Sequence, residues 1–496
     1  MKNLRYFVFV PMFLGLTSVG FGQDSGGVNT DSTSGAVIKG KAPVAKEILK
    51  VRLPKPKTFT LKNGLSVFVI EDHRTPALRL NLQIRAGSLY EEKPGVAAST
   101  ASMLTEGTTK HTYDQIVEET ENSGIGLSAN SGLDITTISA SGLTTNTDEV
   151  IGLLAEVLLH PTFPADRLNR NRGGGGAPGG GGGRGGGGGA NSPAGMISEL
   201  SNHVFFGGTK FERTAPKASE RAAIKSEDLT KFYEEYYRPN GAILGVTGDV
   251  NVKDLQTKLE AALADWKAGS SAHDLPKASF PAKQKNHIFL IDRPGSAQTV
   301  LQFGALAVSQ TDQDFIALTV ANRILGGGSS GRLFQNIRER KGYTYGAYSS
   351  LAAGRWPAIW GANASVRTEV TEPATGEFFF EFKRLQDQLV SEDELNRVKR
   401  SIIGGFALTL ESSEGILGRS IELVQNGLPA TYWDTYPGLI QAVTAQDVQR
   451  VARKYLGGSN IQLFVVGERK KIEAGLAKYG TVEIVEPAKI GSVIGN

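Results

Sequence analysis

From residue 59 onward, short blocks of apolar–polar alternation trade places with blocks of helical spacing. Leu61-Lys62-Asn63-Gly64-Leu65 reads as a turn feeding a strand over 66–70. A second strand is predicted over 78–85, where Leu80, Leu82 and Ile84 alternate with polar neighbours. Pro94-Gly95 opens a helix whose apolar positions include Val96, Met103 and Leu104. A helix over 113–123, two strands within 126–143 and an apolar helix over 150–159 follow. An amphipathic helix over 224–237 and a buried-type strand over 241–248 close this first series.

The order then recurs. Strands are predicted over 288–291 and 299–303, and helices over 315–325 and 371–389. The closing segments correspond best. Asp228-Leu229 through Tyr237 to Val246-Thr247-Gly248 resembles Asp447-Val448 through Tyr455 to Val465-Val466-Gly467, at an offset of about 219 residues. An internal repeat of this length means two similar units. The expected class is α+β, with two homologous domains, each a mainly antiparallel sheet packed with helices. The expected boundaries are 51–268 for the first domain, 269–285 for a Ser/Ala/Lys/Pro linker, 286–480 for the second and 481–496 for a tail.

Composition narrows the class. At 496 residues, with 40% hydrophobic and 21% charged positions, the chain has apolar material for more than one core. A net charge of +4 with no dense Lys/Arg run argues against nucleic acid as a partner. The absence of cysteine excludes disulfides, thiolate metal ligands and a cysteine nucleophile together. Lys2 and Arg5, the apolar run 6–16 and the small residues Gly20 and Gly22 have the layout of a cleaved signal peptide over 1–22. Pro11 interrupts that run, which is shorter than the ~20 residues a membrane span needs. Periplasmic or extracellular residence is expected, with no transmembrane span after cleavage and a flexible leader over 23–50. Between Gly173 and Gly189, 14 of 17 residues are glycine, which predicts a mobile insertion with no side chains to bury.

Several stretches, taken in order, resemble the pitrilysin/insulinase zinc metallopeptidases, particularly the short two-domain bacterial members. They are Leu61 to Leu65, Arg85-Ala86-Gly87-Ser88, Tyr237-Arg238-Pro239-Asn240 and Gly248-Asp249. In the second half they are Leu325-Gly326-Gly327-Gly328, Gly331-Arg332-Leu333-Phe334, Ile337-Arg338-Glu339 and Gly342-Tyr343-Thr344-Tyr345. The resemblance implies the fold shared with the mitochondrial processing peptidases. The Gly326 to Gly331 loop lacks the Lys-Ser/Thr ending of a phosphate-binding loop and follows a helix, which argues against a nucleotide site.

Active members of the family carry His-x-x-Glu-His on a helix of the first domain. Two histidines four apart share one helical face and reach one zinc, and the glutamate between them activates the metal-bound water. Here the register Gly95-Val96-Ala97-Ala98-Ser99-Thr100-Ala101-Ser102-Met103-Leu104 places Ala98 and Ser102 at the ligand positions. Ala101 falls at the position of the base. The region of the distal glutamate ligand is where the polyglycine begins. His73, His111, His160, His203, His273 and His287 form no compact pair, so no metal is expected in this chain. The second domain matches the family in another feature, an arginine and a tyrosine seven residues apart, Arg338 and Tyr345. By resemblance, Arg338 holds substrate backbone and Tyr345 hydrogen-bonds the carbonyl or developing oxyanion.

This asymmetry implies the non-catalytic subunit of a heterodimeric peptidase. Its expected partner is a homologous zinc-bearing subunit, and its expected substrates are unfolded peptides. Zinc is then expected in the partner. The alternative is an enzymatically inactive peptide-binding or structural scaffold of the same family.

Overall fold

In the strand β3 (Ala77–Ile84), Leu78, Leu80, Leu82 and Ile84 are buried and Arg79 is exposed, so its period-two pattern sets one face against a core. The computed structural model describes residues 52–172, 192–212, 216–269, 280, 286–457 and 460–492. The expected signal peptide, leader and glycine-rich insertion, and most of the expected linker, lie outside the described residues.

β3 is central in a six-stranded sheet with β1 (Lys57–Thr60), β2 (Ser66–Glu71), β4 (Gly126–Ser131), β5 (Thr136–Leu143) and β6 (Ile243–Gly248). Their order is β1-β2-β6-β3-β5-β4. A second sheet comprises β7 (His287–Asp292), β8 (Gln298–Leu306), β9 (Thr344–Ser350), β10 (Ile359–Arg367), β11 (Gln462–Gly467) and β12 (Thr481–Val485). Its order, β12-β7-β11-β8-β10-β9, repeats the first strand for strand. Both sheets are mixed: β2 pairs with β6 in parallel, as β7 does with β11, while the strands from there to β4 or β9 run antiparallel. Only the outermost strand differs, since β1 joins β2 antiparallel and β12 joins β7 in parallel. Residues 481–485, expected to begin a tail, thus complete the second sheet. Their pairing with β7 is long-range and leaves no local signature.

The helices of the first half are α1 (Val96–Met103), α2 (Tyr113–Asn122), α3 (Thr147–Leu159), α4 (Ala165–Arg172), α5 (Pro193–Phe206), α6 (Ala218–Ala223), α7 (Ser226–Tyr236) and α8 (Val252–Ala262). Those of the second are α9 (Phe315–Leu325), α10 (Thr371–Asp387), α11 (Glu392–Thr409), α12 (Ser413–Asn426), α13 (Tyr432–Ala442), α14 (Ala445–Tyr455) and α15 (Arg469–Leu476). Local caps fix many of their starts. Thr112 with Gln115 boxes α2, Thr444 with Asp447 boxes α14, and Ser192 before Pro193 caps α5.

The halves exchange helices. The α12 side chains Leu417 and Ile421 pack with Ile243 against β6, and Ser413 donates from its hydroxyl to Asp72 at 2.5 Å. In return Phe205 of α5 meets Phe464 of β11, with ring centroids 6.1 Å apart. This is why β6 and β11 are buried along their whole length, with one face under their own half and the other under the borrowed helix. Gly245 makes the approach of α12 feasible, because a Cβ there would sit 2.8 Å from Ile421 and 2.9 Å from Leu417. Gly304 stands in the same relation to Phe205, at 3.0 Å. Gly245→Val is therefore expected to destabilise the chain by about 1–3 kcal/mol through overpacking. Gly418→Ala, whose Cβ meets nothing within 4 Å, should not. Thermal melts of the two variants decide this, and equal midpoints would refute the packing account.

Candidate functional site

Helix α1 begins at Gly95, whose φ of +91° suits a residue without a side chain. The Glu91 carboxylate accepts the N–H groups of Gly95 and Ala97 at 2.9 and 2.8 Å, which satisfies the open end of the helix. Burial raises its pKa against the pull of those two donors. Ala98 and Ser102 lie one turn apart on the exposed side of α1, and Ala101 is fully buried. The Ser102 hydroxyl is engaged locally, donating to the Ser99 carbonyl at 3.0 Å. The helix thus has the geometry of a ligand-bearing helix and none of the ligands. Zinc does not fit these residues, because two methyl groups and a serine engaged by its own helix offer no tetrahedral donor set.

Among the described residues, no three His, Cys, Asp or Glu side chains lie together as a metal site. Several histidines are instead engaged by a carboxylate elsewhere in the fold: His73 by Asp249 at 2.5 Å and His111 by Glu156 at 2.7 Å. His273 lies outside the described residues. The chain purified without a partner is expected to hold well under one zinc per molecule by elemental analysis. A stoichiometric zinc content would overturn this reading of α1.

Arg338 and Tyr345 are brought together at the other end of the molecule's repeat. Arg338 lies on a wide π-helical turn (Phe334–Arg340), a geometry that recurs at functional sites. Gly342, at φ +63°, turns the chain into β9, the edge strand of its sheet. There the register with β10 slips by one residue, so that Tyr345 and Gly346 face Ser365 alone. Thr344 holds this bulge by donating to the Ser365 carbonyl at 2.7 Å. The bulge turns Tyr345 outward, leaving it 87% exposed. The Arg338 guanidinium carbon lies 5.6 Å from the Tyr345 ring centroid, close enough for a cation–π contact. No ion pair or hydrogen bond engages either polar head among the described residues.

Ion pairs anchor the π turn from beneath. Asn336 donates to Glu377 and Glu381 of α10 at 2.9 and 3.0 Å, and Lys341 pairs with Glu377 at 2.8 Å. Arg332, just before the turn, grips Glu394 of α11 with two hydrogen bonds, at 2.9 and 2.6 Å. Glu381 is 1% exposed, and burial raises its pKa despite the neighbouring Arg384 and Arg332. The free pair at the surface thus rests on a held base. Chemically, it presents one fixed cation and one phenolic donor to the same volume of solvent, a combination suited to a peptide carbonyl. Sequence reading identified the pair and missed its supports. Thr344, Asn336 and Glu381 act through contacts that no local pattern reveals.

A duplicated α+β chain with no metal-binding cluster among the described residues, and an Arg–Tyr pair at an edge strand, has the form of an inactive-type peptidase scaffold. The family description "Insulinase (Peptidase family M16)" matches residues 66–174, and "Peptidase M16 inactive domain" matches residues 223–402. Together they take in more than half of the chain, which belongs to the peptidase M16 family. The chain is 22% identical over 404 residues to an uncharacterized zinc protease of Bacillus subtilis, covering 80% of this chain and 93% of that one. It is 24% identical over 435 residues to a probable mitochondrial-processing peptidase subunit beta of Arabidopsis thaliana, covering 84% and 78% of the two chains. Its fold matches the crystal structure of a peptidase M16 inactive domain from Pseudomonas fluorescens. The TM-score is 0.74 at 23% identity, covering 87% of this chain and 100% of the other.

Proposed function

We propose that this chain is the non-catalytic subunit of an exported heterodimeric zinc metallopeptidase that cleaves unfolded peptides. A homologous partner would supply metal and general base, and this chain would supply Arg338 and Tyr345. The observation that carries the reading is the asymmetry between the halves. Ala98, Ala101 and Ser102 leave α1 without metal chemistry, while a half-buried Arg338 and an exposed Tyr345 stand together with no hydrogen bond or ion pair to either polar head among the described residues. In that role Arg338 holds the substrate backbone. The Tyr345 hydroxyl donates to the scissile carbonyl as negative charge develops on its oxygen. Residence outside the cytoplasm, reached through the signal-like residues 1–22, belongs to the same reading.

The test is reconstitution. The chain is mixed with a homologous His-x-x-Glu-His subunit from the same organism, and hydrolysis of an unstructured fluorogenic peptide is followed. Activity should arise only in the mixture. Full activity of the zinc-bearing subunit alone, unchanged on mixing, would overturn the proposal and leave the inactive scaffold as the better description.

A further inference from the structure

A cleft of about 460 Å³ opens among α9, α11, α12 and α13, lined by neither Arg338 nor Tyr345. Its volume lies in the range of small-molecule sites. One wall is aromatic. Phe406 and Trp433 stack with centroids 5.3 Å apart at 22°, and Tyr436 closes on them at 5.1 and 5.2 Å. Trp433 is fixed in place by its indole N–H, which donates to the Arg419 carbonyl at 2.9 Å. This wall is therefore set before any ligand arrives.

Among the described residues, two arginines line the cleft and no carboxylate does. They differ in how their charge is met. Arg419 pairs with Glu422 at 2.7 Å and lies over Trp433, 4.5 Å from the ring centroid. Among the described residues, Arg323 is held by neutral acceptors alone, the Gly327 carbonyl and the Ser401 hydroxyl, the latter at 2.9 Å. Its half-buried guanidinium is thus oriented and not neutralised. One uncompensated cation beside an apolar wall suits a monoanion, whereas a phosphate dianion would call for a second free charge.

Gly405 adds an independent observation. It lies inside α11, where glycine costs about 1 kcal/mol relative to alanine. Nothing lies within 4 Å of where its Cβ would be, so packing does not require glycine there. In α10, by contrast, a Cβ on Gly376 would meet the Tyr479 hydroxyl at 2.6 Å. A side chain placed at 405 would therefore enter open space at the cleft and not packed protein.

We propose that this cleft binds a carboxylate carried on a small apolar body, with the carboxylate on Arg323 and the body against Phe406, Trp433 and Tyr436. A peptide C-terminus and a free aryl or alkyl acid share this chemistry. The test uses the intact chain with three probes: the tripeptide Ala-Ala-Phe, its C-terminal amide, and 4-phenylbutyrate. Titration calorimetry measures binding. At least one acid should bind with saturation, and the amide about tenfold or more weaker than its parent acid. Tighter binding of the tripeptide than of phenylbutyrate identifies a peptide end as ligand, and the reverse identifies a free acid. Arg323→Gln should weaken the acids by about tenfold. Gly405→Leu should abolish binding while the circular dichroism and melting temperature stay near wild type. Acid and amide binding alike, no saturation with the folded wild-type chain, or acid binding unchanged in both variants would each overturn the proposal.

Discussion

Tyr345→Phe is expected to lower kcat/KM of the reconstituted heterodimer by about 10²–10³-fold, the usual effect of removing one oxyanion donor. The loss should fall mainly on kcat, because the hydroxyl bonds most strongly to the charge of the transition state. The substitution removes a single oxygen from a side chain that is 87% exposed, so the fold and the melting temperature should not change. Arg338→Ala should raise KM as well, since the guanidinium would grip the substrate backbone before and during the reaction. Arg338→Lys should recover only part of the loss, because a lysine lacks the planar fork. Steady-state kinetics on the mixed subunits distinguishes these outcomes. Wild-type kinetics for both Tyr345→Phe and Arg338→Ala would remove these residues from the site.

A pH-dependent effect on stability is expected elsewhere in the second half. Asp314, 1% exposed at the start of α9, receives Arg450 at 2.5 Å, Lys454 at 2.7 Å and the Tyr455 hydroxyl at 2.8 Å, all from α14. Burial alone would raise its pKa, but the hydrogen bonds from Lys454, Arg450 and Tyr455 outweigh burial and hold it at about 2. A carboxylate whose folded pKa is depressed stabilises the fold above its unfolded pKa, near 4. That contribution is lost as pH falls through about 2. Discounted for the solvent exposure of the two cations, it amounts to about 2 kcal/mol at neutral pH. Asp314→Asn should therefore lower stability by about that amount at pH 7 and by progressively less between pH 4 and pH 2. Chemical denaturation of both proteins across this range measures the difference. A gap that stays constant down to pH 2 would refute the role assigned to this carboxylate.

Much of this architecture was legible locally. The alternation of β3, the largely apolar helix α9 and the capping box of α14 each come from residues close in sequence, and the repeat at about 219 residues doubled the evidence for the paired segments. The edges were harder to read. β1 and β12 are short and gain their hydrogen bonds from partners far along the chain or in an adjacent turn, so their own pattern is weak. Helices α5 and α12 each turn an apolar face to the sheet of the other half. Their partners lie in the other sheet, and only the tertiary structure reveals that exchange.

The same division runs through the candidate site. Sequence alone placed Ala98 and Ser102 where the family resemblance expects zinc ligands and Ala101 where it expects the base, because spacing along one helix is local. It also determined which arginine and tyrosine to examine. Only the tertiary structure decided that Tyr345 stands on a β-bulge, because a bulge is defined by the register of β10 against β9 and not by either strand alone. The floor of Glu377, Glu381 and Glu394 beneath Arg338 likewise required α10 and α11 to be folded against the π turn. Spacing along one helix is fixed by covalent geometry, whereas the aim of a side chain on an edge strand is fixed by what packs and pairs with that strand.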